Sequence, residues 1–161
     1  VYTCAAGHGG DGAHTWVRSS DEGDLYQDAG AGVTDELLEP MAACVLPHDP
    51  FAEYGVIEYR FRQRHPDLFA QHVRELGHVL LGPKPYTATS VRYGVALSRL
   101  ARSGELVSRY GPATGAWSDN GQITYWAAPP ASPGEPLTWE TFCVETGRSP
   151  DWTDDDRIGL A

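Results

Sequence analysis

The chain has 161 residues, 41% of them apolar, with five tryptophans and a net charge of −10. That composition supports a buried core rather than a disordered chain, and no apolar run reaches the ~18 residues of a helical membrane span. Three cysteines, odd in number and widely spaced, fit a reduced, cytoplasmic protein better than a disulfide framework; the N-terminus lacks the layout of a signal peptide.

The charge is uneven. Residues 1–57 carry −9, residues 58–128 carry +4 and residues 129–161 carry −5. A basic middle between acidic arms leaves a nucleic-acid partner open, although the total argues against one.

Residues 1–24 are glycine-rich, but GHGGDG has neither the Lys-Ser/Thr of a phosphate loop nor a dinucleotide spacing. Cys4 and His8 stand four apart, and Cys44 and His48 repeat that spacing. Two such pairs could close a tetrahedral zinc site, thiolate and imidazole being the preferred ligands. Small buried cysteines with surface histidines account for the same pattern. Asp11, His14 and Asp49 are the further groups that a metal-dependent enzyme would draw on.

From Thr34 a weak stripe of Val33, Leu37 and Leu38 predicts a short helix, and Pro40 is expected to break the chain just beyond it. Phe51 to Arg64 has helical spacing through Tyr54, Ile57 and Phe61, although YGVIEYRF would also suit a strand. Pro66 opens a clearer helix with a stripe of Phe69, Val73, Leu76 and Leu80, ending at Gly82-Pro83.

The next helix is capped at Thr89 or Ser90 and ends at Gly104. Tyr93, Ala96, Leu97, Leu100 and Ala101 fall on its core side. Arg92, Arg99 and Arg102 fall opposite, beside Val91, Val95 and Ser98. Val107 to Tyr110 and Ile123 to Trp126 then read as two strands of a hairpin around Asn120-Gly121. Pro129 to Gly134 reads as a linker. Trp139, Phe142, Val144 and Trp152 are expected to anchor the tail on the domain or on a second copy.

A helix ending RLARSGEL and running at once into a hairpin resembles the winged-helix DNA-binding family. The resemblance covers Phe51 to Pro129. It implies an α+β fold: a winged helix-turn-helix core of three helices with a β-hairpin wing, flanked by an irregular acidic N-terminal region (1–50) and a linker and acidic tail (130–161). It implies sequence-specific binding of double-stranded DNA by a transcriptional regulator. Arg92, Val95, Ser98 and Arg99 would face the bases, with Arg102 nearer the backbone. Arg109 would meet phosphate, and Trp117, Ser118 and Asn120 would lie at the wing's tip. A homodimer through the arms would follow from the tail's apolar anchors. A winged helix used for protein recognition and a zinc-dependent enzyme using Cys4, His8, Cys44 and His48 are the competing readings.

Overall fold

The computed structural model describes residues 32–76, 88–115 and 121–149. The described residues form a mixed α+β fold of five helices and one three-stranded antiparallel sheet. The helices are α1 (Asp35–Ala42), α2 (Tyr54–Arg64), α3 (Pro66–Leu76), α4 (Ala88–Arg102) and α5 (Trp139–Thr146). The strands are β1 (Ala52–Glu53), β2 (Val107–Pro112) and β3 (Gln122–Ala127). β3 is central, so the sheet order is β1-β3-β2.

Pro40 does not end α1, which runs two residues further, to Ala42. A proline this close to a C-terminus forfeits only one backbone bond, and burial of Leu37 and Met41 outweighs that loss. The segment expected as a helix from Phe51 starts instead at Tyr54, because Ala52 and Glu53 pair with Trp126 and Tyr125 as a strand. Pro66 opens α3 as its first residue; Leu80 lies outside the described residues. α4 stops at a left-handed Gly104 (φ 86°), where the Leu100 carbonyl accepts from both Glu105 N and Leu106 N. The hairpin comes next, with Arg109 opposite Tyr125 and Tyr110 opposite Thr124.

One core joins these parts. Leu37 and Met41 of α1, Val56, Ile57 and Phe61 of α2, and Tyr93, Leu97 and Leu100 of α4 belong to it. So do Trp139 and Phe142 of α5. The boundaries expected at 50/51 and 129/130 therefore run through a single packed unit. Val144, expected as an anchor, is 81% exposed, and Trp152 lies outside the described residues.

Buried charge fastens the C-terminal helix. Glu53 is fully buried; its carboxylate accepts from Thr114 N (2.8 Å), Thr114 Oγ1 (2.6 Å) and Trp139 N (2.7 Å). Leu137 exchanges backbone bonds with Phe51 and Glu53, both 2.9 Å. Thr138 caps α5 by accepting from Thr141 N, and left-handed Gly147 ends it. A carboxylate is stable in this interior because several donors replace its water.

Candidate nucleic-acid interface

α4 is enclosed on most sides. Tyr93, Ala96, Leu97 and Leu100 are buried, as the spacing predicts. The opposite side divides into three environments.

At the N-terminal half, Arg92 is 4% exposed. Its Nη1 donates to Glu75 Oε2 on α3 at 2.7 Å, and backbone at Gly32 approaches so closely that no Cβ fits there. The Arg92 bond holds the Glu75 carboxyl below its ordinary range. Arg92 is therefore not on the open face assigned to it. On a helical wheel it stands about 40° from buried Ala96, at the edge of the α4 core stripe, and α3 covers that side.

In the middle, α4 forms the floor of a groove of about 470 Å³, with β3 as a wall. Val91, Gly94, Val95 and Ser98 line the helix side; Ile123, Thr124 and Trp126 line the hairpin side. Val95 and Ser98 are half-buried here rather than proud of the surface, and Ser98 Oγ donates back to the Gly94 carbonyl at 2.8 Å. Tyr54 and Ser90 close one end. Tyr54 OH donates to the Ser90 carbonyl and Ser90 Oγ to Glu58 Oε2, each at 3.0 Å. Burial, then the Glu58 charge, pushes the Tyr54 phenol well up, so it stays protonated at neutral pH. Glu58 is neutralised by Arg62, itself lying over the Phe69 ring at 4.4 Å. The Trp126 indole Nε1 is buried without a hydrogen-bond partner among the described residues.

At the C-terminal end, Arg99 and Arg102 are exposed. Arg99 Nη1 donates to the Val33 carbonyl at 2.7 Å; Arg102 stands at the groove's edge and, among the described residues, makes no hydrogen bond or ion pair. Arg109 on β2 is also exposed, its guanidinium 4.4 Å from the Phe51 ring centre. Tyr110 beside it is 80% exposed, on the strand face shared with Thr124 and Trp126. The sequence signal for Tyr110 was only its place in a β-rich run. Trp117, Ser118 and Asn120 lie outside the described residues.

Of the zinc quartet, Cys4 and His8 lie outside the described residues. Cys44 is fully buried, its Sγ donating to the Pro40 carbonyl at 3.3 Å, while His48 is exposed. Burial pushes the Cys44 thiol up, toward the protonated form that a metal would have to reverse. Asp49 is engaged by Arg60. Among the described residues no three His, Cys, Asp or Glu side chains converge to hold a metal, and no helix is long and apolar enough to cross a membrane.

Compared with protein-family models, curated proteins and solved structures, the chain has no match.

Proposed function

We propose that this chain is a winged-helix protein that binds duplex DNA mainly through the phosphate backbone. One observation carries the reading. α4 ends in two exposed arginines, Arg99 and Arg102, and runs within a few residues into a strand presenting a third, Arg109. Three exposed cations at a helix-to-hairpin junction suit the repeated charges of a phosphate backbone. Tyr110 is exposed on the other face of that strand.

The recessed helix changes the expected mode. Side chains that read base edges must reach into the major groove, and Val95 and Ser98 sit in a cleft while Arg92 is buried. Arg99, Arg102 and Arg109 therefore meet phosphate, and no α4 arginine is left to read bases. Discrimination between sequences is then small and salt dependence dominates.

Fluorescence anisotropy with a labelled duplex of mixed sequence tests this. With three phosphates neutralised, log affinity against log salt should have a slope of about −3. No binding at low salt would sink the proposal.

A further inference from the structure

We propose that the groove between α4 and β3 binds a small, elongated, largely apolar carboxylic acid, seated against Gly94 and paired with Arg102. Its volume, about 470 Å³, lies in the ~300–1,000 Å³ range of small-molecule sites. The run of α4 from Ser90 to Arg102 sets the groove's length, about 18 Å at the helical rise.

The lining selects the chemistry. Val91, Val95 and Ile123 offer apolar contact, and among the described residues no acidic side chain lines the groove to hold an amine. Arg102 is its one permanent charge and has no ion pair or hydrogen bond among the described residues. At the far end the Tyr54 and Ser90 hydroxyls donate inward, to the Ser90 carbonyl and to Glu58, so that end suits an apolar tail. The ligand's polarity is thereby fixed: carboxylate at Arg102, tail toward Tyr54.

Gly94 is an independent sign. Glycine inside a helix costs about 1 kcal/mol relative to alanine. Among the described residues neither packing nor backbone geometry asks for it: Gly94 lies within the helix without a positive φ, and a Cβ built on it meets none of them within 4 Å. The open space above it belongs to the groove. A missing side chain that the fold does not need is space kept for something that approaches the helix.

Arg102 is also one of the arginines assigned to DNA. An acid bound in the groove neutralises it and lowers DNA affinity, a regulatory step that rests on the DNA reading; the site itself does not.

Isothermal titration of the full chain with decanoate and with 1-decanol tests the site. Decanoate should bind at least tenfold more tightly than 1-decanol. Arg102→Gln should erase that preference and leave 1-decanol binding in place. Gly94→Leu should abolish binding of both while the melting temperature holds or rises. Equal affinity of the two probes in the native chain, binding of neither, or decanoate binding untouched by Gly94→Leu overturns the site. Duplex anisotropy with saturating decanoate tests the regulatory step, where weakened DNA binding is expected. Decanoate bound with DNA affinity unmoved overturns that step and leaves the site standing. A native chain that binds no duplex overturns the DNA reading, and the titration still judges the site.

Discussion

Arg92 and Arg102 share one helix and stand about 80° apart on a helical wheel, yet they end in opposite environments. Arg92 is 4% exposed against Glu75 and covered by backbone at Gly32. Arg102 is exposed at the groove edge. What separates them is the neighbour: α3 packs against the first half of α4, and nothing described covers the last turn on that side. Helical position fixes the angle at which a side chain leaves the axis. It does not say whether another element lies in the way. The charged residues of this chain therefore divide into a sealed set, Glu53, Glu58, Arg62 and Arg92, and an open set, Arg99, Arg102 and Arg109.

The sealed side should yield the largest effects when disturbed. Trp139 is fully buried and packs edge-on to Tyr59 at 6.0 Å. Trp139→Ala should cost about 3–5 kcal/mol, read as a shift of the denaturant midpoint. Truncation after Pro130 removes that anchor together with the Trp139 N–H held by Glu53, and should leave an unstable or aggregating protein. A stable truncated chain would mean that α5 is an accessory arm and the sealed set is smaller than described.

Next in size is the contrast between the two arginines. Arg92→Ala should destabilise by about 1–3 kcal/mol, through lost packing and a lost ion pair, with DNA affinity per folded molecule unchanged. The cost stays below that of a fully buried pair because Glu75 is 44% exposed and can be rehydrated. Arg102→Ala should leave stability within about 0.5 kcal/mol. A reversal of these two phenotypes would break the division.

The same division separates what was legible in the sequence from what was not. The α4 core stripe, its Gly104 stop and the hairpin were readable because each is a local pattern: helical period, a left-handed cap, β-rich runs around Asn120-Gly121. The helical character of Tyr54–Arg64 was readable too, although β-branched and aromatic residues left a strand open there. β1 was not, since two residues carry no period. Neither was the role of Glu53, whose partners Thr114, Tyr125 and Trp139 are 61, 72 and 86 residues away. The fate of Arg92 depended on Glu75 in the preceding helix, and the groove on β3 folding back along α4. Contacts made between elements leave no mark in the spacing within one.

The smallest effect concerns pH. His72 of α3 is buried; its Nδ1 lies 3.0 Å from Tyr93 Oη, and Phe61 stacks on its ring with centres 6.3 Å apart. Burial, then the Arg92 guanidinium, holds the imidazole below its ordinary 6.5, while Glu75 pulls it up. The unfolded chain thus binds this proton more readily than the folded one. Stability from His72 is complete above about pH 6.5 and is lost as pH falls through the lower folded value. Melting temperatures at pH 7.5 and pH 5.5 should differ less in His72→Gln than in the native chain. An equal drop in both would mean that His72 does not carry this pH dependence.

The most direct test of the account is the salt dependence of duplex binding by the native chain and by Arg102→Ala, measured side by side at matched folded fraction. The account predicts a slope near −3 for the native chain and a loss of about one unit in the variant, with affinity reduced on every duplex. A native slope near zero, or one that Arg102→Ala leaves unchanged, would contradict it.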